Sequence, residues 1–513
     1  MSDQTVAGVA GEADEPSTNL LRLRSAELQH LNESGDSAVR AIALGEPLVE
    51  DHERLLGPDH PRTLGAQNNL ANAYQAAGRT AEAIALHERT LASRERLLGP
   101  DHHDTLASQN NLASAYRAAG RFAEAIALHE RTLASRERLQ GPDHPDTLTA
   151  QNNLAGAYRA AGRTAEAIAL YERTLASRER LLGPDHRGTL GSQDNLAGAY
   201  RAAGRTAEAI PLHEQALAGR ERQQGPDHPD TLGSQNNLAN AYQAAGRTAE
   251  AIALHEQALA AQERVLGPDH PDTLQSQHNL AADYQGAGRI AEALPLHEQN
   301  PADMERVLGP DHPDTLQSRD NLANAYRAAG RTAEAIALHE QNLADTERVL
   351  GPDHPGTLQS RDNLALSYHV AGRVAEAIAL HEQNLADMER VLGPDHPGTL
   401  QSRDNLIASY YVAGRIAEAI PLHEQNLANM ERVLGPDHPG TLQSRGNLAI
   451  GYENAGRSAE ALPLHERTLA DMERLLGPDH PGTLMARRNL DRAHQQDAGA
   501  PSRRRRWGLR RPR

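Results

Sequence analysis

An aspartate beside a histidine is raw material for a metal site or a proton relay, and this sequence offers the pair repeatedly. The string Gly-Pro-Asp-His begins at Gly57, Gly99, Gly141, Gly183, Gly225, Gly267, Gly309, Gly351, Gly393, Gly435 and Gly477. A zinc ion needs three or four ligands at about 2.0–2.2 Å. Histidines on packed neighbouring helices stand about 8–10 Å apart. Adjacent copies of the string therefore cannot share an ion, and one Asp-His pair supplies too few ligands. The same residues make good punctuation: glycine ends a helix, proline blocks its continuation, and Asp59 and its copies are expected to N-cap the next helix, with Pro near its first turn.

A second histidine row comprises His87, His129, His213, His255, His297, His339, His381, His423 and His465, with Tyr171 at the equivalent place in the third unit. Tyrosine keeps a flat packing face but is a poor zinc ligand, so this row reads as packing. The chain has no Cys and no Lys, which removes thiolate sites, Schiff-base lysines and phosphate-loop lysines. No nucleophile-base-orienter set and no phosphate loop can be assembled. The chain is read as non-enzymatic, with no metal and no cofactor.

The row best suited to binding is asparagine. Asn69, Asn111, Asn153, Asn195, Asn237, Asn279, Asn321, Asn363, Asn405 and Asn447 each precede a packed leucine, and Asn68, Asn110, Asn152, Asn236, Asn72, Asn240 and Asn324 stand close by on the same helices. An amide both donates and accepts, so it can pair with an extended main chain whatever its side chains. The same amides could instead bond between helices and order the stack, and the sequence leaves both readings open. Beside this row the units change from Gln-Asn-Asn (Gln67, Asn68, Asn69) to Arg-Asp-Asn (Arg319, Asp320, Asn321), which adds Arg361 and Arg403 to the candidate contacts. Two different partner segments, or one of changing charge, would suit such a surface; drift after local duplication would produce it too.

What must position these rows is a ruler. All eleven strings are spaced by 42 residues without insertion or deletion, and a fixed period in that range marks a solenoid. In the unit Pro61 to His102, Leu64, Leu70, Ala71, Tyr74 and Ala77 form one helical stripe, and Ala83, Ile84, Leu91 and Leu98 form another, with His87 on the same side. Gly78 and Gly99 suit left-handed positions that close the two helices. Neither helix can bury its stripe alone, so pairs must stack on pairs. One Phe (Phe122) and one Trp (Trp507) are enough for so thin a core.

The expected organisation is a disordered segment 1–18, a degenerate capping repeat 19–60 in which Asp36 stands where Gly78 stands, ten units over 61–480, a solvating helix 481–497, and a disordered Arg-rich tail 498–513. Pro301, inside the second helix of unit six, predicts a kink or an early end. The formal charge of −17 argues against nucleic-acid binding along the whole length. The basic run Arg503–Arg513 could meet nucleic acid, an anionic membrane, the chain's own acidic groove, or nothing. No apolar run approaches ~18 residues and no leader is recognisable, so no membrane span and a cytoplasmic location are expected.

The run "NNLANAYQAAGRTAEAIALHEQALA", with Leu, Ala, Tyr, Gly and Ala at fixed offsets, resembles the tetratricopeptide repeat, and its 42-residue length with "LGPDHP" between pairs resembles the kinesin light chain subtype, also abundant in bacterial proteins. The resemblance spans roughly residues 20–496. It implies an all-α, right-handed superhelical solenoid of antiparallel helix pairs, whose first helices line a concave groove where asparagines hold peptide backbone. It further implies a protein- or peptide-binding scaffold, or alternatively a regulatory sensor subunit that binds a peptide signal and controls an effector on another chain. The sequence departs from the pattern in two places: the family's bulky fourth position is Gln67, Arg361 or Arg403 here, and the second-helix aromatic is mostly His.

Overall fold

The computed structural model describes residues 15–34, 38–478 and 480–499, and these hold 23 α-helices and no strand. A first pair (Glu15–Ser34, Ala38–Leu56) is followed by ten pairs, from Pro61–Ala76 with Thr80–Leu98 to Pro439–Asn454 with Ser458–Leu476, and by a closing helix, Pro481–Gly499. The first and closing helices extend beyond the expected limits: Glu15–Thr18 and Ala498–Gly499 are helical. The rest of segments 1–18 and 498–513, and the turn at Asp36, lie outside the described residues.

In the ten regular units the first helix starts at a proline whose lost N–H would be unpaired anyway, except at His103 and Arg187. The residue that caps it is not the expected aspartate. His60 precedes Pro61 in extended geometry, and its Nδ1 accepts the Arg62 N–H at 3.2 Å; His144 accepts from Asp146 in the same way at 3.2 Å. Asp59 sits one residue too early to reach the helix and instead pairs with Arg96, at the end of the following second helix, at 2.7 Å. That surface pair recurs along the array, as in Asp143–Arg180 at 2.6 Å and Asp353–Arg390 at 2.6 Å.

Two glycines with positive φ shape every unit. At Gly78 (φ 73°) the Arg79 N–H reaches back to the Tyr74 carbonyl at 2.8 Å, a Schellman closure. Gly99 ends the second helix at φ 88°, ψ 164°. This is not the expected left-handed helical geometry but an extended one that only glycine tolerates. Between the two helices Arg79 stacks 4.4 Å over the Tyr74 ring and bonds Glu82 at 2.9 Å, while the Tyr74 hydroxyl donates to Glu46 of the preceding pair at 2.8 Å. This cluster stands where the second helix has no side-chain cap.

The core is two helices thick. Leu64, Leu70, Ala71, Ala73, Ala83, Ile84 and Leu91 are buried in unit one, each large one contributing about 1.5–3 kcal/mol of burial. The second histidine row lies inside this core: His87, His255, His339 and His381 are fully buried, and Tyr171 occupies the same place in unit three. The early end expected at Pro301 does not occur. The helix Ile290–Leu308 continues through it, with Pro301 buried and Asn300 bonded to the Leu274 carbonyl at 2.8 Å and to Gln277 at 3.1 Å. Packing on both flanks overrides the local helix preference.

The stack winds into a superhelix tight enough that successive turns touch. His312 Nε2 donates to the Ala76 carbonyl at 2.9 Å, 236 residues away, and His354, His396 and His438 repeat the bond to Ala118, Ala160 and Ala202 at 3.0–3.3 Å. One imidazole thus caps a helix through Nδ1 and joins two superhelical turns through Nε2. The Pro313 ring covers Gly78 so closely that a Cβ there would overlap it, and Pro355 covers Gly120 likewise.

Two outcomes follow. Replacing His144 by Ala should raise hydrogen exchange at the Asp146 amide about fivefold, the effect of losing roughly 1 kcal/mol of capping, whereas Asp143→Ala should leave that amide unchanged. Burial lowers His87, His129, His297, His339 and His423 from 6.5 to about 4. The unfolded chain therefore binds more protons between those values, so stability present above pH 6.5 is lost as pH falls toward about 4. Buried Asp404, raised to about 6, and buried Asp320, also raised by its desolvation, oppose this but are fewer than the histidines. The urea midpoint should fall through that window, and less steeply in His129→Phe.

Candidate functional site

First helices of adjacent units touch one another, as do Pro229–Ala244 with Pro271–Gly286 and Pro313–Ala328 with Pro355–Val370; second helices of adjacent units make no comparable contact among the described residues. The first helices therefore crowd the inside of the curve, and their outward stripe is the concave wall. In unit five that stripe is Asp230, Gly233, Asn237 and Asn240, spaced i, i+3, i+7, i+10; in unit six it continues as Asp272, Gln275 and Asn279.

The candidate asparagines divide into three groups. In units one to four they form a ladder between repeats: Asn111 donates to Asn68 at 2.9 Å, Asn153 to Asn110 at 2.7 Å, and Asn195 to Asn152 at 3.0 Å. Asn69 takes the Asn32 amide on its carbonyl at 2.8 Å. Here the stack-ordering use of the row is realised, with half-buried amides spent on each other; Asn72 stands beside them, half-buried and outside the ladder.

In units seven to ten the candidates are largely interior or engaged. Arg361 and Arg403 are each 4% exposed and Asn363 is 8% exposed. Arg361 bonds Glu347 and Asp387 at 2.9 Å each, and Arg403 bonds Glu389 at 2.6 Å and Asn426 at 3.0 Å. These two arginines are therefore not groove contacts, because they stand at the buried Gln67 position on the packed side of the first helix. Asn405 donates to buried Asp362 at 2.6 Å, Asn324 accepts from Arg327 at 3.0 Å, and Asn447 is exposed.

The third group surrounds an opening. Asn236, Asn237, Asn240 and Asn279 line a cavity of about 540 Å³ on the inner wall of units five and six, with Asp194, Arg220, Ser234, Gln262 and Gln275. A smaller cavity of about 180 Å³ follows, lined by Gln275, His278, Gln317 and Asn321. Asn237 and Asn240 have no hydrogen-bond partner among the described residues. The buried oxygens of Asn236, Gln235 and Gln262 also lack one, a cost of about 1–3 kcal/mol each unless water or a ligand serves them.

The cavity has a structural cause that the sequence reading did not find. In units one to four an arginine of the second helix fills the space between pairs: Arg94 bonds Ser108 at 2.7 Å and the Asp104 carbonyl at 3.0 Å, and Arg178 does the same to Ser192 and Gly188. In units seven to ten the arginine comes from the first helix instead, at Arg319, Arg361, Arg403 and Arg445, and Thr346, Met388, Met430 and Met472 take the second-helix place. Units five and six have neither, carrying Gln235 with Gln262 and Gln277 with Met304. The inner wall opens where the guanidinium is missing. The signal was present in the sequence as two complementary columns of Arg, 27 positions apart within a unit (Gln67 to Arg94).

Two larger cavities, of about 840 and 700 Å³, lie between superhelical turns around Phe122 and Leu350 and around Arg205 and Leu434. They recur at equivalent repeat positions, so they reflect how two edges meet. Among the described residues no group of three or more His, Asp or Glu is placed to hold a metal ion, and no helix is long and apolar enough to cross a membrane. The Arg503–Arg513 tail lies outside the described residues.

Tetratricopeptide repeat profiles match residues 31–92, 62–138, 104–180, 146–222, 188–263, 230–299, 402–470 and 447–499, and a second such profile matches 315–356 and 357–398. No curated protein matches the sequence significantly. Among solved structures, a Podosopora anserina putative kinesin light chain with nearly identical TPR-like repeats is 40% identical over 40% of this chain and 97% of its own, with a TM-score of 0.35. BtubC (BKLC) from P. vanneervenii is 24% identical over 49% of this chain and 94% of its own, also at 0.35. A Rap protein complexed with competence and sporulation factor is 13% identical over 73% and 99%, at 0.44.

If the missing guanidinium causes the cavity, Gln262→Arg should fill it, reaching Ser276 as Arg94 reaches Ser108. The expected readout is slower hydrogen exchange across units five and six and a higher melting temperature; faster exchange there would contradict the assignment.

Proposed function

The chain belongs to the tetratricopeptide repeat family, and from that footing we propose that it is a non-catalytic scaffold that takes an extended segment of a partner protein on its concave wall at units five and six. The observation that carries this reading is the inner-wall cavity itself, where Asn237 and Asn240 have no hydrogen-bond partner among the described residues and Asn279 is engaged only by Gln275 of its own helix, at 3.1 Å. Elsewhere on the wall Asn111, Asn153 and Asn195 are paired with the preceding unit and Asn405 with a buried carboxylate, while Asn72 and Asn447 stand apart from this cavity. Asn237, Asn240 and Asn279 stand on adjacent first helices and can donate to and accept from a peptide main chain without reading its side chains. Specificity then falls to charge. Asp272 and Asp314 carry exposed carboxylates at the end of the stripe, which favours a segment with basic side chains and weakens binding as salt rises.

The test uses peptides selected from a random-sequence display library on the full chain. The triple change Asn237→Ala, Asn240→Ala, Asn279→Ala should weaken the selected peptides about tenfold to a hundredfold, since amide hydrogen bonds contribute about 1 kcal/mol each. Gln262→Arg should weaken them by filling the cavity while the fold is kept. Selected peptides that bind both variants with full affinity would refute this location for the site.

A further inference from the structure

The seam between superhelical turns uses only part of two edges that run the length of the array. Loops at His312, His354, His396 and His438 are seated on turns at Gly78, Gly120, Gly162 and Gly204. At the other ends of the same edges the chemistry is repeated with nothing upon it. The turns at Gly288, Gly330, Gly372, Gly414 and Gly456 have no neighbouring atom within 4 Å of a Cβ position. The loops at His60, His102, His144, His186 and His228 accept a backbone N–H on Nδ1, as the seated loops do. Their Nε2–H donors have no partner among the described residues.

Both free edges are also apolar. Leu97, Leu139 and Leu181, beside free loops, are 46%, 48% and 48% exposed, whereas Val349, Val391 and Val433, at the same position beside seated loops, are half-buried. On the turn edge Val370 and Val412 are 52% and 60% exposed, where the seated turns carry only Ala118 and Ala160. These exposed apolar residues on neighbouring units, interrupted by Gln223 on the loop edge and flanked by Ala328 and Asn454 on the turn edge, are the kind of patch that marks an interaction surface.

We propose that a second copy of this chain occupies them, head to tail: the free loop edge of one copy seats on the free turn edge of the next, repeating the intramolecular seam. The seam itself is the argument for this occupant. It joins positions 236 residues apart, and it shows that the two edges fit in shape and in hydrogen bonding. The free rows lie on the same two edges of the same screw and keep the same Gly and His at every unit. Because the two edges differ, the contact is heterologous and leaves one edge of each sort at the ends of any assembly. The edges are separate from the inner wall, so the inference does not depend on the peptide reading.

Sedimentation velocity of the full chain across a concentration series tests this, with circular dichroism as the check on folding. The wild type should grow beyond dimer as concentration rises. A turn-edge variant, Val370→Glu with Val412→Glu, and a loop-edge variant, Leu97→Glu with Leu139→Glu and Leu181→Glu, should each stay monomeric at the concentrations where the wild type assembles. Mixed in equal amounts they should form heterodimers and nothing larger, since one intact edge of each sort remains. A wild type that stays monomeric at every concentration overturns the proposal, and so do variants that associate alone or a mixture that does not associate.

Discussion

Everything in this molecule depends on one constraint: no helix pair can bury its own apolar stripe, so each must lie on the next, always at the same angle. With a core of Ala, Leu and Ile and a period that never varies, the small rotation between units accumulates without interruption. After nearly six units the chain meets itself. The loop that began as a connector then acquires a second task. His312 cannot satisfy Ala76 until the preceding units have been wound correctly, so the long-range bond is a consequence of many local ones.

The same uniformity explains where function can reside. A repeat array offers a ligand many equivalent places, and a distinct site needs a break in equivalence. Here the break is a change in which helix supplies the buried arginine. Arg94 and its copies bring the charge from the second helix; Arg94 and Arg178 meet a hydroxyl and a carbonyl, whereas Arg136 and Arg220 meet the carboxylates of Asp146 and Asp194. Arg361 and its copies bring it from the first helix: Arg319, Arg361 and Arg445 meet two carboxylates and Arg403 one carboxylate and the Asn426 amide, with Thr346 or a methionine in the vacated volume. A unit carrying both arginines would place two guanidinium groups in one space. Units that carry neither separate the two regimes, and there the wall is hollow, with Asn237 and Asn240 unpaired among the described residues.

Much of this was legible in the sequence and some of it was not. The period, the helix pairs, Gly78 as a closing residue and the burial of the His87 row all follow from spacing. The capping residue could have been read correctly too, because proline at the first helical position places the cap at His60 and not at Asp59. By charge alone Arg361 and Arg403 look like groove residues. Their place in the stripe of Leu64, Gln67, Ala71 and Tyr74 points inward, and stripe membership outweighs polarity when the charge has carboxylate partners. The seam was illegible for a different reason: it depends on superhelical pitch, a sum of small rotations that no single unit encodes. The end expected at Pro301 failed because contacts from both neighbouring helices hold the backbone that one missing hydrogen bond would loosen.

Seam and wall act on each other through stiffness. The amide ladder fixes the inner surface of units one to four, and the arginine-carboxylate pairs fix the later units from within. The imidazole-carbonyl bonds fix the pitch between the two stretches. On the proposed reading, a segment entering units five and six would meet amides whose surroundings are already ordered, so little conformational freedom would be lost from the scaffold on binding. The unpaired oxygens of Asn236 and Gln262, which line the cavity, raise the free energy of the empty wall as well, because their desolvation is uncompensated until a donor arrives. Both effects favour a ligand that presents N–H groups along an extended main chain over one that presents only apolar side chains.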